Sequence, residues 1–101
     1  MAEAGFSRDG EGRYRVAGPL TFETVGDLWT RSRDQLEQGK PVLIDLAAVT
    51  AVDSAGLSLL VEWARWARLH TSKASFEHVP AKLHALARIG ELDELLGMTG
   101  P

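Results

Sequence analysis

The spacing of apolar residues in the first part of the chain predicts two short strands followed by a helix. The glycine-containing turn RDGEGR lies between Phe6–Asp9 and Arg13–Ala17, which favours a β-hairpin built from these two segments. Apolar residues then recur at helical spacing, with Thr21 as the expected N-cap and Gly39 as the expected end of the helix. The helical apolar positions are Phe22, Val25, Leu28, Trp29 and Leu36.

The centre of the chain predicts a buried strand and a long helix. The uninterrupted apolar run Pro41–Ile44 is typical of a strand that is covered on both faces or mostly so, and Asp45–Val49 is expected to lead out of it into a tight loop. Asp53 follows as the expected N-cap of a helix from Ser54 to about His70. A carboxylate at this position accepts hydrogen bonds from the first free N–H groups of the helix.

The remaining residues predict one strand and two helices. Ser75–Glu77 is expected to form a short strand, and Ala81–Ile89 a helix whose first turn contains Pro80. A last short helix is expected over Glu91–Leu96, and the tail Gly97–Pro101 is expected to fray. The order ββαβαβαα predicts an α/β fold with a mixed, mainly parallel sheet, and 101 residues fit a single domain.

The long helix has two apolar stripes, more than a helix on one sheet face needs to bury. One stripe is the expected core face and consists of Leu57, Leu60, Val61, Ala64 and Ala67. The other consists of Leu59, Trp63 and Trp66. Because tryptophan is enriched at the centres of interfaces, Trp63 is either a partner contact or packed against a flanking helix. Trp29 has the same two alternatives, core packing or a partner contact.

The composition of the chain limits which kinds of site and partner are expected. The chain has no Cys, which excludes a disulfide framework, a cysteine zinc site and thiol catalysis. A formal net charge of −3 disfavours nucleic acid and anionic lipid as partners. The longest nearly apolar run, Ala55–Val61, is far shorter than the roughly 20 residues that a membrane span needs. These features predict a soluble, cytoplasmic protein without direct membrane insertion.

The sequence carries no recognisable catalytic motif. His70, His78 and His84 have no cysteine partners and no metal-ligand spacing, so they are expected to be solvated surface residues. Neither a nucleophile elbow nor a phosphate-binding loop motif occurs. Asp45 and Asp53 follow one strand and could form an acid pair, but a turn and a helix cap explain them more simply. The sequence therefore predicts no enzyme activity, no metal site and no cofactor.

The most informative residues form the connection from the central strand to the long helix. Small side chains at Ser54, Ala55 and Gly56 leave the N–H groups at the helix start accessible. Such a helix end attracts anions or the acceptor groups of a partner. The structural alternative is that Asp53 caps the helix while the small residues allow close packing on the strand.

These residues resemble the core motif of STAS domains, the family of sulfate-transporter tails and anti-sigma-factor antagonists. The motif runs from IDL at Ile44–Leu46 through a short connection to VDSAGL at Val52–Leu57. The resemblance extends over nearly the whole chain. It implies a mixed sheet with helices packed mostly on one face, and a function exercised by binding a partner protein.

One position distinguishes the subtypes of this family. In anti-sigma-factor antagonists the residue before the glycine carries a hydroxyl that a partner kinase phosphorylates, but here that residue is Ala55. Ser54 is then the only possible acceptor in the motif. The chain is similar instead to the MlaB type, the small STAS subunit of a phospholipid ABC transporter, whose LW pair matches Leu28-Trp29. This resemblance implies a non-enzymatic subunit, peripheral to the inner membrane, that binds and supports the transporter's ATPase.

We therefore expect a docking surface at the start of the long helix. Its expected members are Asp53, Ser54, Ala55, Gly56 and Leu57, together with Trp29 and Trp63. Two other functions stay open. One is a partner-switching anti-sigma-factor antagonist whose hydroxyl has moved to Ser54, and the other is a regulator that binds a small molecule or nucleotide at the helix start.

Overall fold

The computed structural model describes residues 3–70, 72–92 and 96–97, which form four strands and three helices. The strands are β1 (Gly5–Arg8), β2 (Arg13–Leu20), β3 (Val42–Val52) and β4 (Ala74–Glu77). The helices are α1 (Val25–Gln35), α2 (Ser54–Leu69) and α3 (Ala81–Ile89). The final helix expected over Glu91–Leu96 and the tail Gly97–Pro101 lie largely outside the described residues.

The strands form one mixed sheet in the order β1-β2-β3-β4. β1 and β2 pair as an antiparallel hairpin, whereas β2 with β3 and β3 with β4 are parallel. The predicted mixed, mainly parallel sheet is confirmed. A helix follows β2 and another follows β3 before the next strand begins, because a parallel neighbour can be reached only by a crossover connection.

One face of the sheet packs against the helices. Tyr14, Val16, Ile44 and Leu46 point to this face and are almost completely buried. Alternate residues point the other way, to a surface that we call the open face. Its residues are Ser7, Arg13, Arg15, Leu43, Asp45, Ser75 and Glu77. β3 is thus fully covered on one face only, because its first residues alternate between buried positions and partly buried positions on the open face.

β3 is longer than predicted and continues to Val52 instead of leaving the sheet after Ile44. Asp45 does not end the strand, because its Oδ1 accepts a hydrogen bond from the Ala47 N–H at 2.9 Å beside a register shift against β2. β2 likewise extends to Leu20. As a result no loop separates β3 from α2, and Asp53 alone joins them.

The start and end of α1 differ from the prediction. The helix begins at Val25, since the Thr21 N–H donates to Thr24 Oγ1 at 2.9 Å and closes a turn before it. Thr24 Oγ1 in turn donates to the Pro19 carbonyl at 2.8 Å. Thr24, not Thr21, is the N-cap, and the helix ends at Gln35, well before Gly39. This turn leaves Phe22 outside the helix.

α2 and α3 begin as the sequence predicts. Asp53 caps α2, and Pro80 directly precedes α3. The expected core face of α2 needs correction, because the buried residues are Gly56, Leu59, Leu60, Trp63 and Ala67. α2 contacts α1 on one side, α3 on another and the sheet beneath it, so its buried residues face three different elements. Leu57, Val61 and Ala64 are consequently only partly buried.

Candidate partner-docking site

Asp53 joins the start of α2 to the turn that precedes α1. Its Oδ1 accepts a hydrogen bond from the Ala55 N–H at 2.9 Å, which is a helix cap. Its Oδ2 accepts one from the Phe22 N–H at 3.1 Å, across 31 residues of sequence. One carboxylate therefore fixes the position of Phe22 relative to the first turn of α2.

The hydrogen bonds to Asp53 also set its charge state. The pKa of this carboxyl group lies below its usual value, chiefly because the Phe22 N–H donates to it, with further N–H groups of Ala55 and Gly56 adding to the effect. Hydrogen bonds to the charged form of a carboxyl group favour ionisation. Asp53 is consequently an anion at neutral pH. Its two hydrogen bonds hold the turn before α1 against the first turn of α2.

Gly56 allows the start of α2 to lie directly against the end of β2. A Cβ atom at this position would come within 2.6 Å of the Leu20 carbonyl oxygen. That distance is shorter than real Cβ contacts, so only glycine fits without a backbone shift. Gly56 is buried and faces the sheet, and the sequence-based expectation that it contacts a partner is therefore not met in this structure.

A groove of about 330 Å³ lies between α1 and the first two turns of α2. We call it the α1/α2 groove. Most of its wall is apolar, and Glu62 is its one acidic lining residue. The lining residues are Phe22, Val25, Gly26, Trp29, Ala55, Ser58, Leu59 and Glu62. A groove with such walls suits apolar side chains of a partner.

Phe22 is the most exposed apolar side chain of the α1/α2 groove, with 80% of its surface accessible. Trp29 is half-buried deeper along α1, and the Arg33 guanidinium carbon lies 5.8 Å from the centre of its ring. That distance is within the range of a cation–π contact. The groove thus presents one exposed and one partly buried aromatic ring on the same side.

The polar edge of the α1/α2 groove is on the α2 side. Glu62 lines the groove and lies 3.9 Å from Arg65. This pair is exposed and contributes little to stability. It places charge beside an apolar floor, as in the polar rim of a protein interface.

Trp63 lies in the core and not at the groove. Only 1% of its surface is accessible, its indole N–H donates to Ser32 Oγ at 2.8 Å, and its ring lies 5.6 Å from that of Phe6. Among the two alternatives given by the sequence, packing against a flanking element is therefore the one realised, and Trp63 is corrected from a docking residue to a core residue. Its distance from the surface follows from α1, which covers this side of α2.

The structure brings together some of the residues expected at the docking surface. Trp29 and Ala55 line the α1/α2 groove, and Asp53 holds one end of it through Phe22. Ser54 is exposed on the first turn of α2, and Leu57 is half-buried against the core. Neither of these two lines the groove.

Phe22 is the residue that sequence reasoning assigned to the wrong surroundings. Its spacing to Val25 and Trp29 is helical, which places it on the core side of a continuous helix. The available signal was the pair Thr21 and Thr24, because threonine side chains at this spacing form turns with the backbone. The hydrogen bonds of Thr24 confirm such a turn.

The described residues were compared with the requirements of a metal site and of an acid pair. In the ranges that the structure covers, no group of three or more His, Asp and Glu side chains is placed to hold a metal. Asp45 and Asp53 act separately, since Asp45 bonds Ala47 and His78 while Asp53 bonds the two helix starts. None of the described helices has the length and apolarity to cross a membrane.

Comparisons with known proteins agree with this architecture. The family model described as "Mlab, STAS domain" matches residues 5–97. A search of curated proteins found no significant match. Among solved structures, the unphosphorylated anti-sigma factor antagonist SpoIIAA is 10% identical with a TM-score of 0.63, over 86% of this chain and 83% of that one.

Two larger proteins contain a similar fold. The murine anion transporter Slc26a9 in its inward-facing state is 12% identical with a TM-score of 0.67, over 93% of this chain and 19% of that one. A structure described as "Mglu" is 22% identical with a TM-score of 0.57, over 77% of this chain and 20% of that one. The chain thus spans about a fifth of the length of these two proteins. At such identities the likeness shows the fold alone, whereas the family match covers most of the sequence. The chain belongs to the STAS-domain family and is close to its MlaB type.

Proposed function

We propose that this chain is a non-enzymatic cytoplasmic subunit that binds the ATPase of a phospholipid ABC transporter and supports its assembly or activity. The family match to an MlaB-type STAS domain supports the class of partner. The α1/α2 groove is the surface through which the chain docks. Through that contact the subunit is peripheral to the inner membrane.

The exposed ring of Phe22 beside an apolar groove is the observation that carries this proposal. Burying a phenylalanine side chain stabilises a complex by about 2–3 kcal/mol relative to leaving it in water. Asp53 fixes the backbone of Phe22 before a partner arrives, so this segment has little backbone entropy left to lose on docking. An apolar partner side chain seated between Phe22, Trp29 and Ala55 would use all three contacts.

In the proposed complex the partner, and not this chain, hydrolyses ATP. ATP hydrolysis needs a loop that cradles phosphate, and the chain has no such motif, so the partner carries out the chemistry. The subunit contributes a rigid apolar contact surface. Its effect on the ATPase is exerted through binding, by stabilising one arrangement of the partner over another.

A partner-switching antagonist is the second candidate, because Ser54 exposes a hydroxyl on the first turn of α2. A phosphate there would lie near the positive end of the helix, which favours it, and next to Asp53, which repels it. Intact mass spectrometry of the chain from its native host distinguishes the two functions. A substantial phosphorylated fraction at Ser54 supports the antagonist, and an unmodified mass supports the transporter subunit.

Co-purification and affinity measurements with the ATPase subunit of the phospholipid ABC transporter from the same organism test the docking surface. Phe22→Ser is expected to weaken binding at least about tenfold, because the loss of an interface aromatic costs 1.4 kcal/mol or more. Leu69→Ser is the matched control, since Leu69 is also an exposed apolar residue, 73% accessible, but does not line the groove. We expect it to bind like the wild type.

A second matched pair tests the groove wall with added bulk. Ala55→Arg fills the groove with a long charged side chain, whereas Ala85→Arg adds the same group on an exposed position of α3. The first is expected to abolish detectable binding and the second to leave it unchanged. Equal binding by the Phe22 and Ala55 variants and the wild type, with all chains folded, would overturn the proposed docking surface.

A further inference from the structure

The open face of the sheet has its cations on one strand and its anions on the next two. Arg13 and Arg15 both project from β2, whereas Asp45 projects from β3 and Glu77 from β4. Arg15, Asp45 and Glu77 occupy one row across the sheet, because their Cα atoms are paired in the strand register. A surface that carries separate positive and negative columns is complementary to a rotated copy of itself.

Two groups in this row have unused hydrogen-bonding capacity. Both hydrogen bonds to Asp45, from the Ala47 N–H and the His78 ring, fall on Oδ1, which leaves Oδ2 without a partner in the described part of the chain. The Arg15 guanidinium is exposed and its charge attracts Asp45 of the same chain, but no hydrogen bond or close ion pair joins it to a described residue. By contrast, Arg13 is already paired with Glu77 at 3.4 Å. The row therefore offers one donor group and one acceptor oxygen that no hydrogen bond uses in the described part of the chain.

We propose that two copies of this chain associate through their open faces, around a two-fold axis that runs parallel to the strands between β2 and β3. Such an axis places β2 of each copy opposite β3 of the other. Arg15 of each copy then lies opposite Asp45 of the second copy, so the same contact forms twice. A dimer with two-fold symmetry uses one patch on both subunits and needs no other partner.

The remaining residues of the open face suit this packing. Half-buried Leu43 lies in the row next to Asp45, where the aliphatic stem of Arg13 from the second copy can cover it. Ser7 and Ser75, the small residues of this face, do not hinder two sheets from approaching to the usual distance of about 10 Å. Charged pairs flanking a small apolar centre fix the register of the two copies.

The size of the face predicts a weak dimer. Strand spacing and strand rise give it an area of about 500 Å² per copy, near the lower limit for specific interfaces. Association is then concentration-dependent. The α1/α2 groove lies on the helical side of the sheet, so this dimer leaves it accessible, and the inference does not rest on the proposed function.

Complementary charge reversals test the proposal by sedimentation equilibrium over a wide range of protein concentrations. Arg15→Glu and Asp45→Arg each place like charges opposite one another twice, and each is expected to weaken self-association at least about tenfold. An equimolar mixture of the two variants restores both contacts, because each position 15 then faces an opposite charge at position 45. The mixture is expected to dimerise with the affinity of the wild type.

Arg68→Glu reverses a charge on the exposed side of α2 and serves as the control, with unchanged association. Asp45→Arg also removes hydrogen bonds within the chain, so melting curves are recorded for every variant. If that variant does not fold, Arg15→Lys decides instead, since it keeps the charge and should dimerise where Arg15→Glu does not. A wild type that stays monomeric at all concentrations, or a dimer unaffected by Arg15→Glu, overturns the proposal.

Discussion

Trp29 and Trp63 lie on neighbouring helices and are joined through a single hydroxyl group, yet their surroundings are opposite. Ser32 Oγ accepts a hydrogen bond from the Trp63 indole N–H and donates one to the Trp29 carbonyl oxygen. Trp63 is enclosed by the core, whereas Trp29 is half-buried and lines the α1/α2 groove. The helical pattern leaves both residues open between core packing and a partner contact, and only the arrangement of the neighbouring elements separates them.

The difference shows what decides whether an apolar side chain becomes part of an interface. Trp63 is covered from the sheet by Phe6, whose ring lies 5.6 Å away, and its one polar atom is satisfied by Ser32. Trp29 has only partial cover among the described residues, since one side of it lines the α1/α2 groove and the Arg33 guanidinium carbon lies 5.8 Å from its ring centre. Removing Trp63 should therefore affect folding, and removing Trp29 should affect binding.

Replacing the two tryptophans is the strongest test of this contrast. Trp63→Ala is expected to lower the free energy of unfolding by about 3–5 kcal/mol, because it leaves a large cavity in the core. Trp29→Ala is expected to cost less, about 1–2 kcal/mol of stability, since part of the ring is already in water, while weakening ATPase binding at least about tenfold. Urea unfolding and affinity measurements on both variants supply the two values. Equal losses of stability would show that both residues belong to the core.

Much of the fold could be predicted from the sequence, because local signals and tertiary packing agree there. The N-cap at Asp53, the start of α3 at Ala81 and the parallel pairing follow from spacing and capping residues, and the structure confirms them. The end of β3 could not be predicted. A carboxylate in the strand looked like its end, but Asp45 faces the open side of the sheet, where a charge is tolerated.

The candidate site was predicted in part, and the missing part depends on long-range contacts. Ala55 and Trp29 were expected at a docking surface and do line the groove. The exposure of Phe22 depends on its hydrogen bond to Asp53, 31 residues away in sequence, and no local pattern contains that information. The burial of Trp63 depends in the same way on Ser32 of a different helix.

Two glycines test the difference between the packed core and the α1/α2 groove, because Gly56 lies against β2 and Gly26 lines the groove. Gly56→Ala brings a Cβ atom to within 2.6 Å of the Leu20 carbonyl oxygen, so the backbone must shift at an expected cost of about 1–3 kcal/mol. Gly26→Ala on α1 meets nothing within 4 Å and is expected to stabilise the chain by about 0.4–1 kcal/mol.

Denaturant midpoints of the two glycine variants measure these opposite signs directly. Because Gly26 lines the groove, its alanine variant also reports whether the proposed partner needs the space there. A destabilised Gly26→Ala variant would contradict free space at the groove. An unaffected Gly56→Ala variant would contradict close packing of α2 on β2.

Ser32 is the point at which the two tryptophan surroundings meet. Ser32→Ala leaves the buried indole N–H of Trp63 without a partner, which is expected to cost about 1–2 kcal/mol of stability. The control is Thr30→Ala, which removes an exposed hydroxyl bonded to the Gly26 carbonyl and should change stability by about 0.5 kcal/mol or less. Thermal or urea unfolding compares them. If the two variants lose the same amount, the hydrogen bond to Trp63 contributes nothing.

The smallest expected effect concerns the pH dependence of the contact that holds the groove open. The pKa of Asp53 is lowered in the folded chain by the Phe22 N–H and then by the N–H groups of α2. A carboxyl group whose pKa is lower in the folded than in the unfolded state stabilises the fold above the unfolded value of about 3.9. That contribution disappears as the pH falls through the folded pKa.

Asp53→Asn tests this directly, because asparagine keeps a carbonyl oxygen for the Ala55 N–H but presents to the Phe22 N–H a neutral NH2 group, which cannot accept a hydrogen bond. The variant should be less stable than the wild type between pH 5 and pH 7, and the gap should narrow as the pH falls below about 4. Asp45, whose pKa is lowered chiefly by the Ala47 N–H, keeps part of the acid sensitivity in both chains. Urea midpoints from pH 7 to pH 2 give the profile. A gap that stays constant over this range would show that Asp53 acts only through its shape, so that the position of Phe22, and with it the open groove, does not depend on the charge of the carboxylate.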